Sequence, residues 1–156
     1  TGSDVRAALV IMQGMGIDAF VEVYKHEAEG YNPSLISDGW QAAFLNYADA
    51  EKLESIEKLD IHYLTDEVFV LLEGESVLIA AEIENDQITY DLINMKPGII
   101  YNIPKNTWHK IAMQKGSKVC IVEKDNTHLG DFEFYDLSEE QKADLRNAVN
   151  QLLKAE

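Results

Sequence analysis

Cysteine, proline and positive charge are all scarce in this sequence. The 156 residues include one cysteine, Cys120, so no disulfide framework can form within the chain. Cys120 has no base near it in sequence and sits among apolar neighbours, which marks a small buried hydrophobe rather than a nucleophile. Three prolines and nine glycines are spread through the chain, and they form neither a low-complexity tract nor an interdomain linker. Thirteen Lys and Arg face 28 Asp and Glu, giving a net charge of −15 and a pI near 4.5. That balance excludes a nucleic-acid partner, because phosphate binding needs a basic surface. It disfavours an anionic membrane surface for the same reason. It also slows capture of anionic substrates unless a metal or local cations offset the field. No apolar run approaches the roughly 20 residues that span a bilayer. Cytoplasmic residence is the simple expectation. A glycine-rich phosphate loop, a paired-cysteine motif and a serine nucleophile elbow are all missing.

What is present is an ordinary globular composition, 46% apolar and 9% aromatic. The length suits one domain with a sizeable core. The expected organisation is an N-terminal arm or remnant over 1–15, a β-barrel over 16–136 and a C-terminal helix over 137–156. Thr1-Gly2-Ser3 resembles a remnant more than a signal peptide. Residues 4–15 suit a short helix or an arm that packs on a partner.

Many short β-forming runs punctuated by turns follow. Ile17–Tyr24 and Trp40–Tyr47 are strand candidates. Residues 26–38 are polar and broken by Gly30, Asn32 and Pro33, which predicts a loop with a brief extended piece. Residues 48–58 predict a loop with a helical turn. Ile61–Tyr63 and Glu67–Leu72 are β-forming and separated by the turn Leu64-Thr65-Asp66. Ser76–Ile83 and Gln87–Ile93 form a hairpin across Glu84-Asn85-Asp86. Ile99–Ile103 is stopped by Pro104, Lys105-Asn106 makes a turn, and Trp108–Met113 follows. Lys115-Gly116 predicts a second hairpin, to Lys118–Glu123. Asp125–Gly130 is a turn region, and Phe132–Tyr135 suits an edge strand. Regularly spaced short strands of this kind favour a closed or sandwiched β architecture. At the end, Ser138 with Gln141 is a capping-box signature. Leu145, Ala148, Val149, Leu152 and Leu153 recur at helical spacing, so Glu139–Leu153 is an amphipathic helix.

Two stretches carry chemistry. His62 and Glu67 lie five apart and would face opposite ways on one strand. A turn between them puts them on neighbouring strands facing one space. His109 shares a face with Ile111 and Met113 and also starts a strand after a turn. Two imidazoles and a carboxylate can thus gather at one end of a barrel. Asp60, two before His62, shares its face. Burying Glu67 unpaired would be costly, which favours a metal or a positive partner beside it. Without one, the three residues would make ordinary hydrogen bonds in a metal-free pocket.

The spacing of these residues resembles the two signature motifs of the cupin superfamily over roughly residues 36–125. His62, Glu67 and Gly74 fit the first motif, with Asp60 where its first histidine would stand. Gly98, Pro104 and His109 fit the second, with Asn106 in place of a glycine and Met113 in place of a closing asparagine. The run Thr65–Leu72 is also similar to small bacterial cupins without an established reaction. Ureidoglycolate lyases and some sugar isomerases share that architecture.

The resemblance implies an all-β fold, a double-stranded β-helix or jelly-roll barrel with a C-terminal amphipathic helix, and a homodimer. It implies His62, Glu67 and His109 as ligands of one divalent metal, and such a ligand set suits Fe, Mn, Ni or Zn. The expected substrate is a small polar metabolite, processed by a metal-dependent lyase or isomerase. Tyr101, or Glu67 if unligated, would move the proton. Asp60 is either a fourth ligand or a strand-end carboxylate. Tyr63, Tyr101 and Trp108 are candidates for the pocket wall or for the core. His26 and His128 are expected at the surface, with His128 near the pocket rim. The alternatives are a non-catalytic binding module with a degenerate, metal-free pocket, and an accessory protein whose partner contacts lie on its terminal arm and helix.

Overall fold

The structure, a computed structural model, describes residues 20–156. Ten strands form two antiparallel five-stranded sheets. They are β1 (Gly30–Ile36), β2 (Gln41–Asn46), β3 (Lys58–Ile61), β4 (Glu67–Glu73), β5 (Ser76–Glu84), β6 (Gln87–Asn94), β7 (Ile100–Ile103), β8 (Trp108–Met113), β9 (Lys118–Glu123) and β10 (Glu133–Asp136). The first sheet runs β1-β2-β9-β4-β7 and the second β10-β3-β8-β5-β6. The all-β jelly-roll architecture expected from the sequence is therefore present. So is its C-terminal helix, Glu139–Ala155.

Alternation explains why two sheets suffice for two cores. Residues pointing between the sheets, among them Leu45, Phe69, Leu71, Leu78, Ile111, Val119 and Ile121, make the inner core. On the other face of the second sheet, Leu59, Val77, Ile79, Ala81 and Ala112 meet Leu145 and Val149 of the helix. Strand β5 is thus covered on both faces, which is why its sequence is nearly continuous apolar. The helix starts with the predicted capping box, Ser138 and Gln141 each bonding the other's backbone N–H.

Turn chemistry fixes the connections. Asn85 and Asp86 both take left-handed conformations between β5 and β6, as a two-residue hairpin requires. Gly74 sits at φ +81°, and a Cβ there would lie 2.7 Å from the Ser117 Cα. Two inter-sheet corners, β4 to β5 and β8 to β9, pass each other at this point, and only glycine allows the approach.

Four expectations change. Residues 20–24 of the predicted strand 17–24 form no strand, and the rest of that segment, with the arm over 1–15, lies outside the described residues. The segment read as a loop over 26–38 contains β1, an edge strand whose register shifts between Asn32 and Leu35. Pro33 lies in that irregularity, where a missing N–H does no harm. The turn at Lys115-Gly116 does not make a hairpin: β8 pairs with β3 and β5, while β9 pairs with β2 and β4. A tight turn fixes a reversal of direction but not the sheet that receives the next strand. Finally, the turn region 125–130 includes one short helical turn, Thr127–Gly130.

Candidate metal centre

The site is assembled from both sheets at one end of the barrel. His62 follows β3 directly, Glu67 opens β4, and His109 lies second in β8. The turn between β3 and β4 is held from three sides. Asp131 accepts the backbone N–H groups of Tyr63 and Leu64 on its two carboxylate oxygens, both at 3.0 Å. The Asn106 N–H donates to the His62 carbonyl at 2.7 Å. Thr65 Oγ1 accepts from the Lys124 N–H at 2.9 Å. Residues distant in sequence therefore set where His62 and Glu67 point.

Three side-chain atoms converge. Glu67 Oε2 lies 2.9 Å from His62 Nε2 and 2.8 Å from His109 Nε2. Among the described residues this is the one cluster of three or more His, Cys, Asp or Glu side chains able to share an ion. His109 is 4% and Glu67 7% exposed, so water does little to screen them. The outer ring nitrogens are already engaged: His62 Nδ1 is 2.6 Å from the Asp131 carbonyl and His109 Nδ1 3.0 Å from the Thr107 carbonyl. A carbonyl only accepts, so each Nδ1 carries the proton. A neutral ring then aims a bare Nε2 lone pair at the carboxylate. Glu67 Oε2 accepts no hydrogen bond of regular geometry despite its burial.

Three electron-pair donors facing one another at this spacing need positive charge among them. One solution is to protonate the imidazoles. Burial on its own would lower both rings, but the Glu67 carboxylate outweighs it, raising His109 and pushing His62 up to about 9. Burial would likewise raise Glu67, and His109 and His62 beside it hold it well below the usual carboxylate range. The other solution is a cation held by two Nε2 atoms and one oxygen. Backbone carbonyls that fix the Nδ1–H tautomer are the usual outer support of metal-bound histidines, so these residues fit a divalent ion.

A cavity of about 200 Å³ opens beside the cluster, with Tyr31, Asp60, Phe69, Lys110, Glu123 and His128 on its wall. Asp60 is drawn to Lys110, its Oδ2 3.4 Å from Nζ, and stands outside the three-atom cluster. Tyr101 is not brought to this cavity. Its hydroxyl accepts the Lys96 N–H at 3.0 Å and its ring packs on the inner core. Trp108 stacks edge-on against Tyr135 outside the barrel. Tyr63 is turned outward to Glu133. His26 is half-buried against Asn32 rather than fully at the surface. His128 lies on the cavity wall, as expected for the rim. Cys120 is half-buried, and burial pushes its thiol up.

Glu123 was not singled out in the sequence. It is 7% exposed, it pairs across the sheet with both Gln41 and Glu67, and burial, then the Glu67 charge, raises its carboxyl. A signal was available: Val119, Ile121 and Glu123 alternate along β9, so an inward position ends on a carboxylate.

No family model matches. An acireductone dioxygenase from Exiguobacterium sibiricum is 31% identical over 90 residues, 54% of this chain and 48% of that protein. The match therefore spans about half the length of that curated relative. Among solved structures, a cupin-2 domain protein from Shewanella frigidimarina aligns over 64% of this chain and 84% of its own, at 22% identity and a TM-score of 0.44. A 3,4-ketoisomerase from Thermoanaerobacterium thermosaccharolyticum aligns over 69% and 73%, at 18% identity and a TM-score of 0.48. Two five-stranded antiparallel sheets and a C-terminal helix make this chain a jelly-roll barrel, with a histidine–glutamate–histidine cluster at one end of it.

Proposed function

We propose that this chain binds one divalent metal ion through His62 Nε2, Glu67 Oε2 and His109 Nε2, and acts there on a small polar metabolite as a lyase or isomerase. The observation that carries the reading is the convergence of those three buried atoms, with both Nδ1 atoms already committed to carbonyls. Such an ion supplies Lewis-acid polarisation of a carbonyl or of adjacent oxygens. The protein's part is to orient and to select. Phe69 and Ile121 wall the cavity with apolar surface, and Tyr31 and His128 present polar atoms across it. About 200 Å³ suits a metabolite of a few heavy atoms rather than a cofactor-sized molecule. A homodimer, expected from the resemblance, belongs to the same proposal.

The name of the curated relative favours a second reading, oxygen-dependent chemistry at the same ion. Two histidines and one carboxylate with open positions is also the ligand set of non-haem Fe(II) oxygenases.

The test uses chelator-stripped protein reloaded separately with Fe(II), Mn(II), Ni(II) and Zn(II). Each form is screened against hydroxy acids, ureido acids and sugars by thermal shift and turnover, with and without oxygen. The proposal expects a ligand-induced shift and anaerobic turnover in one loaded form, both lost in His109→Ala. Turnover only with oxygen selects the second reading. An equal ligand shift in stripped and loaded protein, without turnover, makes the barrel a binding module and contradicts both.

A further inference from the structure

We infer that the cavity beside the cluster selects an uncharged, hydroxyl-bearing carbonyl compound over a carboxylic acid, and that Glu123 enforces the choice by accepting a hydrogen bond from a ligand hydroxyl. The inference rests on the three-residue metal site proposed above and narrows its substrate class. Glu123 lines the cavity but stands outside the three-atom cluster. Its side chain is 4% exposed, and Oε2 has no hydrogen-bond partner among the described residues. A buried carboxylate oxygen without a donor is costly, and a ligand O–H on the cavity side would supply one.

The other oxygen is fixed. Oε1 accepts the Tyr31 hydroxyl at 3.0 Å and Gln41 Nε2 at 3.2 Å. Gln41 is held in turn, because its Oε1 accepts the Asn126 N–H at 2.8 Å. The carboxylate is therefore anchored on one side and presents a bare oxygen on the other.

Charge decides what the ligand is. A carboxylic acid would need a free cation, and among the described residues the wall offers none. Lys110 is its one lysine or arginine, and Asp60 Oδ2 already lies 3.4 Å from Nζ. Gln41 Nε2 faces His128 Nδ1 at 3.2 Å. An amide nitrogen only donates, so Nδ1 is bare and that ring is neutral. The charge of a divalent ion is matched by Glu67 and Glu123, which such an ion keeps ionised. Glu51 adds a further carboxyl to the wall. An ammonium compound would satisfy Glu123 but has no lone pair for the ion. A neutral hydroxy-carbonyl compound satisfies both, and Phe69 and Ile121 offer apolar surface to its C–H groups.

Calorimetric titration of the Zn(II)-loaded full chain with matched pairs, D-xylose against D-xylonate and D-ribose against D-ribonate, tests the inference. Wild type should bind at least one sugar about tenfold or more tighter than its acid. Glu123→Gln, which keeps the shape and the Tyr31 contact, should weaken that sugar about tenfold and tighten the acid, with zinc content unchanged. Glu123→Met, which fills the same volume without charge, should narrow the ratio in the same way. Opposite movements of two ligands do not arise from lost folding, and the wild-type comparison stands without either variant. Equal or tighter binding of the acids by wild type, binding of no sugar, or a wild-type ratio in both variants would overturn the inference, while bound zinc leaves the metal site standing. Failure of wild type to hold zinc or any other divalent ion would overturn the metal site and this inference together.

Discussion

His62 shows how one side chain links fold, charge and chemistry. Its Nδ1 is tied to Asp131, its Nε2 faces Glu67, and it lies at the end of β3 rather than within it. In the metal-free protein the Glu67 carboxylate raises it to about 9, against an ordinary value near 6.5. The sign follows directly: a raised folded-state value stabilises below the unfolded value and loses that stabilisation as pH climbs through the folded one. Metal-stripped wild type should therefore lose melting temperature between about pH 6.5 and 9, and His62→Gln should flatten that decline. A wild-type profile that rises over this window more than the variant's does would contradict the His62–Glu67 pairing. With metal bound the direction reverses, because the ligating ring must be neutral. Spacing in the sequence pointed to His62, Glu67 and His109, whose side-chain atoms the structure brings together. It did not disclose Asp131, Tyr31 or Gln41, which reach the site only because distant strands and turns meet there. Tyr101 looked suitable by residue type, and its hydroxyl is instead engaged by the Lys96 N–H.

At the scale of elements, periodicity and turn residues were the legible signals. The hairpin at Asn85-Asp86, the stop at Pro104 and the capped helix at Ser138 all stand where local chemistry placed them. β1 was obscured because Gly30, Asn32 and Pro33 are poor strand formers, and an edge strand with a bulge tolerates them. The sheet that receives β9 is set by contacts far apart in sequence. The helix's role was likewise open until its partner was visible. Leu145 and Val149, each 1% exposed, close the outer core over β5. Leu145→Ala should cost about 3 kcal/mol in urea unfolding while leaving metal affinity intact, because the helix packs on the face of the second sheet away from the site. A loss under about 0.5 kcal/mol would mean that the helix is not part of the cooperative unit.

At the scale of the whole molecule, a strongly acidic protein of net charge −15 concentrates buried carboxylates at one end of its barrel. Surface acidity favours cations and repels anions over the Debye length. Buried carboxylates beside bare imidazole nitrogens would turn that general preference into a specific position for one ion. We propose that His62, Glu67 and His109 hold that ion. Elemental analysis of protein purified without chelator or immobilised nickel tests it most directly. Wild-type protein should carry about one equivalent of Fe, Mn, Ni or Zn per chain, absent from His62→Ala purified in parallel. No metal in the wild type, persisting after incubation with each ion, would contradict it.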